Sequence, residues 1–370
     1  MPERLNQVEY SLGRIKKLIP ESENAKDYLA HTLDQQISSV SEDTPMGIVP
    51  SSILSPVKVY ASARMAVELL DEPEKLAAKK EGLVDLGIIE WLLRPAMRVK
   101  DGLLDQVSAG PWQSLPVNLI EESSRAVCRL DVAVEGYDET VHVGTGFTVG
   151  RDARGRDIVM TNAHVLEGAL QYGWTVTSSI MFGCDFARYE VENVNRLLPL
   201  SEDYNLHPEY DLAILYLEIG KGGEPDTQPI HLTVSAESPD PAVGLKIGVL
   251  GHPSFNSSLD PFPKYYGFGD EFGVKRFSPG EVRALEKRRW RKNDVNVFLH
   301  DATTLSGSSG SCILDLLSMK VVGLHFGGWP MPKRLIAREG STEITAELFL
   351  ANGAVPLWTL HNDPLLGEIL

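Results

Sequence analysis

Residues 126–165 read AVCRLDVAVEGYDETVHVGTGFTVGRDARGRDIVMTNAHV, and their texture decides the fold. AVCRLDVAV (126–134), TVHVGTGFTV (140–149) and DIVMTNAHV (157–165) are short apolar or alternating runs separated by turn-forming residues, the pattern of strands. The same texture continues through DLAILYLEI (211–219), KIGVLGH (246–252), VNVFLHD (295–301) and KVVGLHFGG (320–328). Many short strands at such intervals predict a sandwich or barrel. GKGGEPDTQP (220–229) reads as a linker that divides the β-rich region into halves of comparable length, as two stacked barrels require.

Upstream of about residue 115 the texture is helical. Apolar residues recur at helical spacing in Ala61-Met65-Val67-Leu70 and Leu83-Leu86-Ile89-Leu92. Ser, Asp and Pro around 41–56 predict a loop, and Pro95 ends or kinks the last long helix. The organisation expected is a helical region over 1–115 and a β region over 116–370, with halves at about 118–220 and 230–360. No internal repeat or low-complexity tract interrupts it.

The chain of 370 residues is long for one core, which agrees with two or three folding units. A net charge of −16 disfavours nucleic acid and anionic membranes as general partners. The opening MPERLNQVEYSLGRIKKLIP is charged throughout and lacks a signal-type apolar core, and no later run is long enough to span a membrane. Cys128, Cys184 and Cys312 are widely spaced and form no C-x-x-C pair, so neither a closed disulfide framework nor a zinc site is expected. Reduced thiols point to the cytoplasm. Asn256-Ser257-Ser258 fits a glycosylation acceptor, but without secretion it reads as a polar loop.

The chemistry centres on Gly307-Ser308-Ser309-Gly310-Ser311. A nucleophilic serine must expose its hydroxyl while nearby backbone N–H groups point at the developing oxyanion, and flanking glycines permit that tight path. The amides of Gly307 and Ser309 would supply the oxyanion hole. By itself such a Gly/Ser cluster reads more readily as a flexible turn. A general base is available in Thr161-Asn162-Ala163-His164-Val165, directly after the strand DIVM. Orienting its imidazole requires a carboxylate. Asp211 opens the apolar run DLAILYL, an unusual place for an unpartnered charge, and Glu209 is the neighbouring competitor.

Together these segments resemble the chymotrypsin-like serine proteases. The order His164, Asp211, Ser309, with separations of 47 and 98 residues, is similar to that family's triad. Gly144-Thr145-Gly146-Phe147 and Gly251-His252-Pro253 match two further family segments, and the likeness runs from about residue 118 to 360. The resemblance implies two six-stranded antiparallel β-barrels behind the helical region. It also implies a serine endopeptidase working through an acyl-enzyme, with no metal or organic cofactor and a protein or peptide substrate. Should Ser309 prove dispensable, Ser308 or Cys312 would be the alternative nucleophile.

Within the family, the chain resembles the glutamyl-endopeptidase-like branch. Thr303-Thr304-Leu305-Ser306-Gly307-Ser308-Ser309-Gly310-Ser311 is similar to that branch's nucleophile segment, and Gly323-Leu324-His325-Phe326-Gly327-Gly328 to its G-[IL]-H-[WF]-G-G motif. That likeness assigns Thr304 and His325 to the primary specificity pocket. An imidazole N–H and a hydroxyl both donate to the oxygens of Glu or Gln, and buried donors penalise apolar side chains. Neutral donors serve both residues, so Glu against Gln stays open. Thr303 stands where trypsin-type enzymes carry an Asp, which disfavours Lys and Arg.

There are three departures. Ser308 replaces the usual Asn or Asp before the nucleophile, so activation by a freed amino terminus is not expected. Leu305 replaces a glycine. Residues 254–293 read as an insertion carrying Glu286-Lys287-Arg288-Arg289-Trp290-Arg291-Lys292, a solvated loop or helix face that could also attract acidic substrates. Two other readings remain: an inactive protease-fold binding module, and a regulatory role in which residues 1–115 receive a partner. Such helical–protease fusions resemble effectors of bacterial defence and signalling.

Overall fold

The computed structural model describes residues 2–19, 23–43, 56–79, 82–105, 112, 114–133, 140–171, 178–182, 198–217, 230–240, 242–254, 272–328, 334–339, 342–347, 352–363 and 366. The linker at 220–229, the centre of the loop at 41–56, Cys184 and Asn256-Ser257-Ser258 lie outside them.

Five helices come first: α1 (Pro2–Leu18), α2 (Ala25–Asp43), α3 (Pro56–Val67), α4 (Pro73–Ala78) and α5 (Gly82–Leu92). Their shared core includes Leu12, Ile15, Leu33, Leu86 and Ile89. Leu86, Ile88 and Ile89 of α5 are all buried, so this helix sits apolar on several sides among its neighbours. In α3 the buried face is Ala63, Ala66, Val67 and Leu70, whereas Met65 is 66% exposed. The expected stripe through Ala61 and Met65 is therefore rotated. The true stripe keeps i, i+3, i+4, i+7 spacing but uses small alanines that carry little hydrophobic signal.

Leu93 closes the last helical turn by donating to Ile89 O at 3.1 Å, and the Trp112 indole donates to Leu93 O at 2.8 Å. The chain then becomes extended at Pro95, where the sequence placed a break. Strands β1 (Met97–Lys100) and β2 (Leu103–Leu104) follow, upstream of residue 116, yet they join the large sheet of the β region. Helix α6 (Val117–Ser124) leads into the first β unit.

That unit contains β3 (Val127–Ala133), β4 (Thr140–Arg151), β5 (Asp157–Thr161), β6 (Ser178–Phe182), β7 (Leu198–Leu206) and β8 (Ala213–Leu217). They form a closed antiparallel barrel in the order β3-β4-β5-β8-β7-β6, with β6 returning to β3. Helix α7 (Ala163–Gln171) lies between β5 and β6. The second unit holds β9 (Lys246–Gly251), β10 (Arg276–Trp290), β11 (Asn293–His300), β12 (Cys312–Asp315) and β13 (Val321–Gly328). A separate hairpin, β14 (Arg334–Glu339) and β15 (Thr342–Glu347), precedes β16 (Asn352–Pro356). The sheet order is β11-β16-β13-β12-β9-β10-β1-β2, and β10 also pairs with β11, so six strands return on themselves.

The stretch 254–293 is thus no simple insertion. Residues 276–290 are β10, whose first half pairs with β9 and whose second half, after a bulge between Val282 and Ala284, pairs with β11. The charged run from Glu286 to Lys292 is the end of this two-stranded ribbon. A ribbon with one solvated face accepts charge that would be costly in a central strand, and for that reason its strand character is hard to read.

One apolar cluster spans both β units. Phe147, Met160 and Ile214 from the first meet Leu250, Phe277 and Leu324 from the second. Packing within the second unit is close: a Cβ added at Gly323 would lie 2.5 Å from the Phe298 ring. Gly323→Ala should therefore destabilise the protein by about 1–3 kcal/mol, the usual cost of overpacking, read as a lower urea midpoint at unchanged slope.

Candidate active site

His164 is the second residue of α7, immediately beyond β5, and Asp211 lies in the turn that enters β8. Because β5 and β8 pair side by side, with Thr161 opposite Ala213, the two residues emerge at the same end of the barrel. The Asp211 carboxylate takes both donors of one residue. His164 N donates to Oδ1 at 3.0 Å and His164 Nδ1 to Oδ2 at 2.6 Å. Asn162 holds the carboxylate's own backbone, donating from Nδ2 to Asp211 O at 2.8 Å. The Asp211 side chain is 4% exposed and that of His164 39%, so a buried acceptor orients a ring whose other edge is accessible. With Nδ1 donating, Nε2 of the neutral ring is the basic nitrogen. Glu209 is exposed and does not compete for the imidazole.

The Asp211 turn is itself held. His207 is 2% exposed, and its Nδ1 accepts from the amides of Glu209 at 3.1 Å and Tyr210 at 3.0 Å. Its proton must then sit on Nε2, which donates to Asp363 at 3.0 Å. This residue was not visible as a site component in the sequence, where NLHPEYDL shows only an isolated histidine before the acidic pair.

Ser309 stands in the loop between β11 and β12. Gly307 and Gly310 flank it with φ of 82° and 87°, a left-handed backbone that glycine adopts without strain. The loop is pinned from the other β unit by Thr145 of β4. Thr145 N donates to Ser309 O at 2.8 Å and its hydroxyl to Gly307 O at 2.8 Å, while His252 N donates to that hydroxyl at 2.9 Å. Gly310 N donates to His325 O at 2.8 Å, tying the loop to β13. Among the described residues, the amides of Gly307 and Ser309 make no hydrogen bond. The Ser309 hydroxyl donates to Phe326 O at 3.4 Å and is not hydrogen bonded to His164.

Ser308 is 4% exposed, with its amide bonded to Leu305 O, and offers no accessible hydroxyl. Cys128 and Cys312 are free and buried, and burial pushes their thiols up, that of Cys312 to about 12. Burial thereby disfavours a thiolate at Cys312 at neutral pH.

His325 is 1% exposed and faces a second buried histidine. His300 Nε2 and His325 Nδ1 lie 3.1 Å apart, their rings edge to face. Burial lowers both: His300 falls to about 3, and His325 falls well below the ordinary imidazole value, with His300 and His164 contributing. Both are neutral at pH 7. The Thr304 hydroxyl makes no hydrogen bond among the described residues, whereas the Thr303 hydroxyl donates to Arg94 O at 2.7 Å. In the sequence His300 shows only as the last residue but one of the strand VNVFLHD. Among the described residues no group of three or more His, Cys, Asp or Glu is placed to hold a metal ion, and no helix is long and apolar enough to cross a membrane.

Residues 144–324 match the family model described as a trypsin-like peptidase domain. The chain is also 27% identical over 271 residues to a probable serine protease of Lysobacter enzymogenes, covering 64% of this chain and 67% of that relative. Among solved structures it is similar to the Rv3671c protease of M. tuberculosis. The active form matches at 18% identity, covering 69% of this chain and 85% of that one, with a TM-score of 0.44. An inactive serine-to-alanine form of the same protease gives 18%, 69%, 92% and 0.43.

Two outcomes follow from the geometry. His207→Ala leaves two backbone amides without their acceptor, and should cost about 1–3 kcal/mol of stability and lower turnover together. His300 gives a pH signature. The unfolded imidazole binds its proton near pH 6.5 and the folded one only near 3. The unfolded state therefore holds more protons between those values, and stability is full above pH 6.5 and falls as pH drops toward 3. The slope should reach ~1.4 kcal/mol per pH unit for each such histidine, and His300→Gln should flatten it in urea titrations.

Proposed function

We propose that this serine protease, a hydrolase with a trypsin-like peptidase domain over residues 144–324, cleaves internal peptide bonds through a triad of His164, Asp211 and Ser309. The observation that carries the reading is the double engagement of His164 by Asp211, which fixes one tautomer and leaves the basic nitrogen at the accessible edge. In this reading the Ser309 hydroxyl leaves Phe326 O and turns to His164 Nε2 when substrate binds. His164 then removes the proton as Ser309 Oγ attacks the scissile carbonyl, and Asp211 stabilises the imidazolium. The unengaged amides of Gly307 and Ser309 receive the oxyanion. His164 returns the proton to the leaving amine, and an acyl-enzyme remains. Water activated by the same imidazole releases the second product.

The pocket reading assigns Thr304 and His325 to recognition of Glu or Gln before the scissile bond. The tautomers favour it. If His325 donated from Nδ1 to His300, His300 would carry its proton on Nδ1, a buried atom with no partner. Donation from His300 Nε2 avoids an orphaned N–H and leaves the proton of His325 on Nε2. In the pocket reading that N–H and the Thr304 hydroxyl are the two neutral donors offered to a carboxylate or amide oxygen.

An inactive binding module is the less favoured reading, because both the oriented imidazole and the unengaged amides would serve no purpose in it. Residues 1–115 are read as a regulatory region, and the enzyme as a cytoplasmic effector.

Ser309→Ala should abolish turnover, and loss of one oxyanion donor typically costs 10²–10³ in kcat. Peptide-library profiling of wild type against Ser309→Ala tests activity and preference together. Cleavage after Glu or Gln is expected; cleavage after Arg or Phe would sink the pocket assignment. His325→Phe should lower kcat/KM for Glu and Gln peptides by roughly 10²-fold, because the substrate's polar oxygens would be buried without a donor, a cost of about 1–3 kcal/mol.

A further inference from the structure

A buried cluster of charge joins the N-terminal helices to the segment that leads into the Ser309 loop. Arg14 comes from α1, Glu90 from α5, Arg94 from just beyond α5, Arg283 from β10 and Asp301 from the end of β11. The side chains of Arg14, Glu90, Arg94 and Asp301 are between 1% and 8% exposed. Arg14 Nη2 lies 3.1 Å from Glu90 Oε2 and 3.7 Å from Asp301 Oδ2. Arg94 Nη2 lies 3.0 Å from Asp301 Oδ2, and Arg283 Nε also contacts that oxygen. Asp301 Oδ1 accepts from Glu281 N at 2.8 Å, so both carboxylate oxygens are used.

Two further bonds hold the chain that follows, and a third ties β10 to the residue before β1. The Thr303 hydroxyl donates to Arg94 O at 2.7 Å, Asn352 Nδ2 to Ala302 O at 2.6 Å, and Arg276 Nη1 to Ala96 O at 2.8 Å. Residue 304 is the next in line. Buried ion clusters are poor devices for raising stability but good ones for enforcing a single register, because any slip strands a charge away from water. Helices docked by apolar contact alone could slide over the barrel; a guanidinium on α1 facing Asp301 cannot.

We propose that Arg14 and Arg94 are positioning residues for the substrate pocket, through which the N-terminal helices hold Asp301 and so fix the segment 301–304. The proposal rests on the assignment of Thr304 to that pocket. It makes α1 part of the specificity apparatus while leaving the triad to form without it. A partner that displaced α1 would loosen recognition before it affected chemistry.

The test uses the full chain with Arg14→Met, Arg94→Met and Arg14→Lys, each compared with wild type in three measurements. These are KM and kcat on a Glu peptide, the rate at which a small organophosphonate without a pocket-filling side chain labels Ser309, and hydrogen exchange of the amides at 302–305. The two Met variants should raise KM about tenfold or more while kcat and labelling change less than threefold, and exchange at 302–305 should quicken at least tenfold. Arg14→Lys, which keeps the charge, should recover most of both effects. Unchanged exchange and KM in the Met variants would overturn the clamp. So would a parallel fall in labelling, turnover and urea midpoint that Arg14→Lys does not relieve, since that marks a general structural role. Wild type lacking a Glu or Gln preference would remove the pocket assignment instead, and accelerated exchange at 302–305 would still support the clamp.

Discussion

Thr145 is the residue on which the geometry of the cleft depends. Its amide and hydroxyl hold the carbonyls of Ser309 and Gly307, and its carbonyl accepts from the Thr161 hydroxyl at 2.7 Å, three residues before His164. A single buried residue, through its amide, carbonyl and hydroxyl, therefore sets the Ser309 loop against the strand that delivers the imidazole. Both loop carbonyls are thereby fixed on Thr145, which holds the backbone on either side of Ser308 in place. The arrangement also explains why glycine is required at 310: an added Cβ there would collide with the Thr145 carbonyl, and the backbone already has positive φ. The apolar seam beneath packs Phe147 from one unit against Leu324 from the other in a single cluster.

Much of this was legible because the relevant segments are locally unusual. A strand ending in TNAHV, a charge opening DLAILYL, and glycines around adjacent serines each demand a reason, and the β texture around them is periodic. What escaped notice is physically consistent. Thr145 lies inside a quoted motif, but a threonine in a strand is ordinary and only its cross-unit bonds make it special. His300 and His207 act through partners distant in sequence. The β10 strand was misread because its second half lies on a solvated ribbon, where charge is cheap. The face of α3 was phased wrongly because alanine fills it. Helices and strands can be read from period; hydrogen bonds between remote segments cannot.

The two histidines beside the cleft illustrate how burial selects chemistry. An exposed imidazole would titrate across the physiological range, and its charge would vary with conditions. Enclosing His300 and His325 together removes that option, since neither can take a proton without placing a charge in an apolar interior already shared with another ring. The pair is thereby held neutral, each ring facing the other across a 3.1 Å contact.

Strand β1 carries a practical meaning for any attempt to divide this chain. Met97 and Arg98 cover the edge of β10 at Phe277 and Arg276, and Val99 N donates to Lys275 O. A fragment beginning at residue 116 would bare that row of backbone groups and leave Asp301 without two of its guanidinium neighbours. An uncovered strand edge recruits other chains. Clumping of such a fragment would therefore report a missing strand, and would say nothing about whether the helices restrain the enzyme.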